Sequence, residues 1–352
     1  MKILLERKYK IYDDRLVFID HSKEMLFKKH GIEIIEDETK AKHCDIVMTH
    51  QNGNGDFETS KKYKKPIIIL QRSDSATIHS KAMRKMIKTS QVIGFFKITN
   101  FKNIYDHNLD LIGERRHLEY INQLKYKAEK QEIQFNEKEL NKIKCALPAY
   151  YNFRFDHIRN VSDQNDIFSN KRNVYINFAG TVDYSSSWEK GNFSCNKTNL
   201  LNLHRKKAYN SVMNISSKYQ NIQQHILSHY GNFMNQPNYW QSLFNTKICI
   251  SPWGYGEYNW RDFEAIYLGA LLLKPDTDFI ESYCDLYQKN IFYKTFKPDY
   301  SDFEKTCIDI LNNFNSEENT SIRKNALNTL KDNYNIEKIC NRFAKQIKEC
   351  LQ

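Results

Sequence analysis

The first half of the chain alternates short apolar runs with longer polar stretches. Five runs have the length and the β-branched character of buried strands: "KILLE", "IEIIE", "DIVMTH", "PIIILQR" and "QVIGFFKIT". Polar helix candidates such as "HSKEMLFKKH" and "TIHSKAMRKMIK" lie between them. Strands that alternate with helices predict a parallel sheet that is covered on both faces.

The second half repeats this alternation. The strand "VYINFAG" is followed by a polar loop from Thr181 to Thr198 and by the helix "NLLNLHRKKAYNSVMNISSKY". Next come "QQHIL", a helix around "NYWQSLF", the strand "KICISP", the helix "RDFEAIYLGA", the strand "LLLKPD" and the closing helices "DFEKTCIDILNNF", "NTSIRKNALNTLKDNY" and "IEKICNRFAKQIKECL". Two α/β domains in tandem are the simplest account.

The segment between the halves has a different character. From about Asp110 to Lys144 the pattern is long, charged and helical, which indicates a surface helix or hairpin rather than a partner-binding coiled coil. Polar, turn-rich residues follow in "SDQNDIFSNKRN", and we place the domain boundary there. The predicted units are residues 1–165, residues 172–330 and a terminal helix at 331–352.

Composition and charge exclude some classes of protein. With 40% apolar and 13% aromatic residues in 352 positions, the chain can bury two cores, which excludes a disordered protein. The formal net charge of +11 favours anionic partners such as phosphates or an acidic membrane face. The basic residues are scattered and form no zinc-finger, RNP or basic-zipper pattern, so we expect no nucleic-acid binding.

Cysteine spacing and hydropathy bear on cofactors and location. The eight cysteines lie far apart without a CxxC or paired Cys/His spacing, so we expect no structural zinc. The N-terminus has the pattern of a strand rather than of a signal peptide, and no run of about 18 apolar residues occurs. We expect a cytoplasmic protein with reduced thiols, with peripheral contact at the inner membrane face left open.

The stretch "SPWGYGEYNWRDFEAIYLGALLLKPD", residues 251–276, is the most unusual in the chain. It joins a predicted strand to a helix, where open α/β sheets bind ligands and helix N–H groups favour anions. Gly254 and Gly256 let the backbone approach a ligand closely. Arg261 can hold phosphate oxygens in a fork, and Glu264 can accept two hydrogen bonds from a ribose diol.

Aromatic residues complete this candidate site. Trp253 or Tyr255 can stack on a base or on a sugar ring, and the combination points to a nucleotide sugar. Each part also has an ordinary explanation, because Arg261 and Glu264 can form a surface pair one helical turn apart and a Gly-x-Gly alone is a weak signal. The order of strand, glycines, arginine, glutamate, glycine and strand is more specific than any of these parts.

The same stretch resembles the donor-site segment of GT-B glycosyltransferases, particularly the CgeB-like and exostosin-like groups. In those groups a Ser-Pro-x-Gly-x-Gly-Glu run precedes an Arg-x-Phe-Glu-Ala helix and a Gly-x-x-Leu strand. "NVYINFAGTVDY" followed by "HRKKAYNSV" resembles the start of the same domain. The resemblance covers residues 172–300 and is specific only in the quoted segments, whereas the first half is matched by architecture alone.

The resemblance implies two Rossmann-like domains with parallel sheets that face each other across a cleft, with C-terminal helices crossing back. The nucleotide-sugar donor would bind to the second domain and a glycan or glycolipid acceptor to the first. Arg261 would contact the diphosphate, Glu264 the ribose, and Arg205 would be a second phosphate clamp. The other donor-binding candidates are Gly180, Trp253, Gly254, Tyr255, Gly256 and Glu257.

The catalytic base is left open among three residues. Asp74 and His50 follow predicted strands of the first half and can face the cleft, whereas Asp183 lies on the donor side. Asp74 can also be part of an N-cap, and His50 an ordinary loop histidine. GT-B enzymes generally meet the leaving phosphate with cationic side chains and helix dipoles, and no Asp-x-Asp motif stands out here. We therefore expect no metal and no other cofactor.

The expected function is transfer of a sugar from a nucleotide sugar to a glycan or glycoconjugate, in surface polysaccharide synthesis. Glu257 and Glu264 are one residue closer together than the glutamates of many retaining members, so the resemblance does not imply inversion or retention. A non-catalytic nucleotide-sugar or glycan-binding protein on the same fold is one alternative. A nucleotide-sugar epimerase, which needs no acceptor, is another.

Overall fold

A computed structural model describes most of the chain. The residues described are 1–6, 17–51, 62–71, 75–78, 80–109, 130–148, 153–164, 166–168, 171–180, 182, 194–195, 198–219, 226–229, 235–254 and 256–352. Three of the candidate site residues, Tyr255, Asp74 and Asp183, lie outside this set. Their predicted roles therefore stay predictions.

The first half is built around one parallel sheet. In chain order its elements are β1 (Lys2–Glu6), α1 (Val17–His30), β2 (Glu33–Ile35), β3 (Ile46–Gln51), β4 (Ile67–Gln71), α2 (Lys81–Ile87), β5 (Val92–Lys97), β6 (Thr99–Phe101), α3 (Glu137–Leu140), β7 (Ile143–Cys145) and α4 (Phe153–Gln164). Six strands pair in the order β2-β1-β3-β4-β5-β7, all in parallel. Every residue of β4 is buried, as expected for a strand that is covered on both faces.

The second half is built around a second parallel sheet. Its elements are β8 (Val174–Ala179), β9 (Ser194–Cys195), β10 (Thr198–Asn199), α5 (Leu200–Lys218), β11 (Ile226–His229), α6 (Gln236–Phe244), β12 (Thr246–Ile250), α7 (Trp260–Tyr267), β13 (Leu271–Pro275), β14 (Ile280–Ser282), β15 (Lys294–Phe296), α8 (Phe303–Asn312), α9 (Glu317–Asn333) and α10 (Ile336–Glu349). Five strands pair in parallel in the order β11-β8-β12-β13-β15. Within the described part of the chain, no helix has both the length and the apolar character needed to cross a membrane.

The long charged segment before the second half differs from its prediction where the structure describes it. Residues 130–136 are not helical, and α3 is a single turn capped by Asn136. Residues 143–145, predicted as helix up to Lys144, form β7 and pair with β5. Ile143 and Cys145 are each 4% exposed, so burial of a sixth strand outweighs the helical spacing of this sequence. Residues 110–129 lie outside the described part.

Among the described residues, a small sheet and a helix pair are two of the places where the halves meet. β6 of the first half pairs with β14 of the second in a small antiparallel sheet, in which Phe101 lies opposite Ile280. α10 packs on α1, where the rings of Phe18 and Phe343 meet edge to face with centroids 5.1 Å apart. The last helix therefore crosses back to the first half, as the resemblance implied. The domain limits given above stay a prediction.

Candidate functional site

Two arginines meet at the carboxyl ends of central strands in the second sheet. Gly180 directly follows β8, and Gly254 lies in the loop after β12. A Cβ added at Gly180 would collide with Nη2 of Arg205 and would lie 2.7 Å from Nη2 of Arg261. A Cβ added at Gly254 would lie 4.0 Å from Nη1 of Arg205. Both guanidinium groups thus approach the backbone at one point, which a side chain at residue 180 would block.

Two helices of the second half carry these arginines. Arg205, on α5, is 5% exposed. Arg261, on the first turn of α7, donates from Nε to the Tyr239 hydroxyl and from Nη1 to the Ile250 carbonyl, both at 3.4 Å. Two like charges that converge in a partly buried place repel each other, and a bound anion relieves this repulsion. The arrangement is therefore a candidate anion site at the carboxyl edge of a parallel sheet.

Glu264 lies one helical turn beyond Arg261. Its Oε1 accepts a hydrogen bond from the indole N–H of Trp240 at 3.0 Å, so α6 orients the carboxylate on α7. Glu264 is 8% exposed, which is not the setting of a surface ion pair. Because an ionised carboxylate has about four acceptor positions, this one can accept further hydrogen bonds from a ligand.

Trp253 differs from its prediction. The ring is 2% exposed, stacks on His204 with centroids 5.7 Å apart and meets Phe279 edge to face at 6.0 Å. Its indole N–H donates to the Thr277 hydroxyl at 3.0 Å. The large ring is thus buried with its polar atom bonded, and it presents no open face to a base or a sugar. Trp253 is a packing residue in this structure.

Glu257 makes a contact that the sequence did not predict. It is fully buried, and its Oε2 accepts the backbone N–H of Ala76 at 3.2 Å. Ala76 belongs to the first half, in the segment after β4. The Glu257 side chain therefore contacts the opposite half of the molecule.

A buried ion pair holds the loop between β12 and α7. Lys274 Nζ lies 2.6 Å from Oδ2 of Asp262, and both side chains are 0% exposed. Lys274 also donates to the Glu257 carbonyl at 2.8 Å. Asp262 accepts from the hydroxyls of Ser251 and Tyr287. Burial lowers the pKa of Lys274, and the Asp262 carboxylate opposes that shift. Sequence reasoning missed this lysine, although a charged residue inside the run "LLLKP" is a signal.

The first sheet ends in a row of buried polar side chains that sequence reasoning also missed. We call Glu6, Thr49, Gln71 and Lys97 the polar row. Glu6 pairs with Thr49, and Leu70 pairs with Phe96, so the alternation of faces puts all four side chains on one face of β1, β3, β4 and β5. Each is at most 4% exposed. A polar residue that ends an apolar run, as in "KILLE" or "GFFK", is the signal.

Hydrogen bonds connect the polar row. The Thr49 hydroxyl donates to Glu6 Oε2 at 2.8 Å. Lys97 Nζ donates to Oε1 of Gln71 and, at 3.2 Å, to the Ser75 carbonyl. Burial lowers the pKa of Lys97 to about 7, and the Glu257 carboxylate opposes part of that shift. The row therefore carries a lysine whose charge depends on its surroundings.

His50 is placed apart from this row. It lies near the end of β3, at the carboxyl edge of the first sheet, and is 6% exposed. Its side chain points to the opposite face of the sheet from that of Thr49, because faces alternate along a strand. The structure therefore brings Gly180, Arg205, Gly254, Arg261 and Glu264 together in the second half and leaves His50 in the first.

Comparison with known proteins identifies the fold. No protein-family model matches the sequence, and no curated protein matches it. A solved structure of a trehalose-6-phosphate protein from E. coli, bound with UDP-2-fluoro glucose, aligns over 100% of this chain and 99% of its own, with a TM-score of 0.50 and 11% identity. The fold is GT-B. At this identity the likeness concerns the fold alone.

Two further solved structures are similar at lower TM-scores. A glycosyltransferase from Rickettsia africae aligns over 100% of this chain and 98% of its own, with a TM-score of 0.46 and 12% identity. HepE from Anabaena, in complex with UDP-glucose, aligns over 99% of this chain and 100% of its own, with a TM-score of 0.45 and 10% identity. The GT-B assignment agrees with the two parallel sheets described above, whereas the CgeB-like or exostosin-like grouping stays a prediction.

Proposed function

We propose that this chain is a glycosyltransferase that takes a sugar from a nucleotide-sugar donor. The acceptor is a hydroxyl group of a glycan or glycoconjugate, such as a glycolipid in surface polysaccharide synthesis. The observation that carries the proposal is the meeting of the Arg205 and Arg261 guanidinium groups at Gly180, with Glu264 one turn further along α7. Two arginines match the charge of a diphosphate, and a carboxylate suits a ribose diol.

The proposed reaction exchanges one bond at the anomeric carbon of the donor sugar. An acceptor hydroxyl oxygen forms a bond to this carbon, and the bond from the carbon to the diphosphate oxygen breaks. The nucleoside diphosphate leaves with the electron pair, and Arg205 and Arg261 stabilise its added charge. We therefore propose transfer without a resident metal or other cofactor.

A base takes the hydroxyl proton if the reaction inverts the sugar configuration. Asp74, His50 and Asp183 stay the candidates, and Asp74 and Asp183 lie outside the described residues. His50 lies at the carboxyl edge of the first sheet, where we propose that the acceptor binds. Contact with an anionic membrane face, expected from the net charge of +11, stays a prediction.

A thermal-shift panel of UDP, GDP, CMP, dTDP and ADP tests the donor site. UDP is the first choice because the E. coli protein with this fold is bound with a UDP-sugar analogue. We expect one nucleotide to raise the melting midpoint of the wild type and not that of Glu264→Ala. A ligand at about 100 times its dissociation constant adds roughly 2.7 kcal/mol to the free energy of unfolding. Glu317→Ala, an exposed glutamate on α9, should respond like the wild type.

Two results of this panel would count against the proposal. A wild type that responds to no nucleotide refutes the donor site. If a nucleotide sugar binds but no free nucleotide is released with water or with a panel of glycan acceptors, the non-catalytic binding protein becomes the better account. Release of nucleotide that depends on an acceptor supports transfer over the epimerase alternative.

Gly180→Ala tests the close approach of the arginines. We expect the nucleotide dissociation constant to rise about tenfold, because the added methyl group displaces both guanidinium groups from the phosphates. The free energy of unfolding should change by less than about 1 kcal/mol, because the methyl meets the ends of two flexible side chains. Titration calorimetry and urea unfolding measure the two quantities. The control is Gly94→Ala in β5, where a Cβ would lie 2.8 Å from Cys350 Sγ, and its nucleotide affinity should be unchanged.

A further inference from the structure

One peptide group connects the two halves beside the loop that carries Gly254 and Gly256, which we call the glycine loop. Lys97 Nζ donates to the Ser75 carbonyl at 3.2 Å, and the Ala76 N–H donates to Oε2 of Glu257 at 3.2 Å. This carbonyl and this N–H belong to the same peptide bond. Lys97 ends β5 in the first half, and Glu257 precedes α7 in the second. An ammonium group, a peptide dipole and a carboxylate therefore lie in series.

The whole connection is shielded from water. Lys97, Ala76 and Glu257 are 0% exposed and Ser75 is 1% exposed. In such a setting hydrogen bonds are stronger than in water, and a carbonyl that accepts from a cation makes its own N–H a better donor. Buried charges are stable only when other charges or hydrogen bonds compensate them. Lys97 and Glu257 compensate each other through this peptide group, which we call the peptide link.

The peptide link acts on the loop that carries Gly254 and Gly256. Glu257 directly follows Gly256, and its main-chain carbonyl accepts from Lys274 Nζ at 2.8 Å. The second half thus holds the main chain of Glu257, while the first half holds its side chain. A Cβ at Gly254 would lie 4.0 Å from Nη1 of Arg205, so a shift of this loop reaches that arginine.

We propose that Lys97 and Glu257 are positioning residues whose peptide link makes the nucleotide affinity of the second half depend on the first. The link holds the glycine loop against Arg205, which meets Arg261 at Gly180, so the phosphates meet a preformed site. This inference rests on the proposed function, because the second half must bind a nucleotide. In this proposal, Lys97 belongs to the half that binds the acceptor and affects the affinity of the other half for the donor.

Titration calorimetry on the full chain with UDP, GDP, CMP, dTDP and ADP tests this inference. For Lys97→Met and for Glu257→Gln, we expect the dissociation constant of the nucleotide that the wild type binds to rise about tenfold. The dissociation constant of the double variant should not exceed the larger of the two single-variant values, because both groups act through one link. Independent structural damage would instead make the two effects add.

Lys102→Met is the matched control. Lys102 also bridges the halves, since its ammonium lies 2.8 Å from Asp278, a residue outside the glycine loop. Its nucleotide affinity should stay within about twofold of the wild type. Melting midpoints measured without nucleotide verify that each variant is folded. If Lys97→Met does not fold, Lys97→Gln replaces it and is tested beside Glu257→Gln.

The outcomes separate the two proposals. If the wild type binds a nucleotide and Lys97→Met and Glu257→Gln bind it equally well, the positioning role is wrong and the donor site stands. Two other results would contradict the coupling through the peptide link. The first is that the two single effects add in the double variant, and the second is that Lys102→Met weakens binding as much as Lys97→Met does. If the wild type binds none of the five nucleotides, the donor site fails and the inference fails with it.

Discussion

Arg261→Ala is expected to weaken nucleotide binding by about 100-fold. A guanidinium group can make two hydrogen bonds to phosphate oxygens, and each bond to a charged group contributes about 1.5–3 kcal/mol. Losing two such bonds costs at least about 3 kcal/mol, and about 1.4 kcal/mol corresponds to a factor of ten in affinity. Arg205→Ala should have a similar effect, because both guanidinium groups meet at Gly180. Titration calorimetry with the nucleotide found in the panel measures the loss.

Lys206→Ala is the matched control for the arginine variants. Lys206 is the next residue on α5, is exposed and carries the same charge, so its removal changes the net charge equally without touching the site. Its nucleotide affinity should change by less than about twofold at physiological ionic strength. Arg205→Lys should fall between Arg205→Ala and the wild type, because lysine keeps the charge but loses the fork. Wild-type affinity in Arg261→Ala would mean that the anion site is elsewhere.

Lys274→Met is expected to lower the free energy of unfolding by about 3–5 kcal/mol, the usual cost of breaking a buried ion pair from one side. Lys274 and Asp262 are both 0% exposed and lie 2.6 Å apart, so the substitution leaves a buried carboxylate without its cation. The Glu257 carbonyl loses its bond from Lys274 as well. Urea unfolding at neutral pH measures the change.

An exposed ion pair provides the comparison for Lys274→Met. Lys28 and Glu24 pair one turn apart on α1, with side chains that are 69% and 78% exposed. Lys28→Met should change the free energy of unfolding by no more than about 0.5 kcal/mol, because water screens this pair. A loss of less than about 1 kcal/mol in Lys274→Met would show that the buried pair does not restrain the fold in the way argued here.

The candidate donor-binding residues of the stretch 251–276 could be proposed from local sequence alone. Arg261 and Glu264 lie on α7 and Gly254 in the loop before it, and all were placed from one continuous stretch of sequence. The strand before the loop and the helix after it are local structures, which apolar periodicity reveals. Gly180 and Arg205 came only from the resemblance, because they are distant in sequence from this stretch.

Other residues have two plausible environments that the sequence does not distinguish. Trp253 can stack on a ligand or pack inside the protein, and its contacts with His204 and Phe279 decide for packing. Glu257 was placed with the donor, but its carboxylate accepts from Ala76 in the first half. In both cases the deciding neighbours lie far away in the sequence, so no local pattern distinguishes the two environments.

Most of the alternating strands and helices and the parallel character of both sheets followed from the chain itself, because periodicity, turn residues and strand ends are local properties. The tertiary structure alone decided how the halves touch. The polar row depends on the register across β1, β3, β4 and β5. The peptide link joins Lys97 to Glu257 through Ser75 and Ala76, which carry no signal in the sequence. Such contacts form only when distant segments are packed together, because each buried charge is stable only beside the partner that folding brings to it.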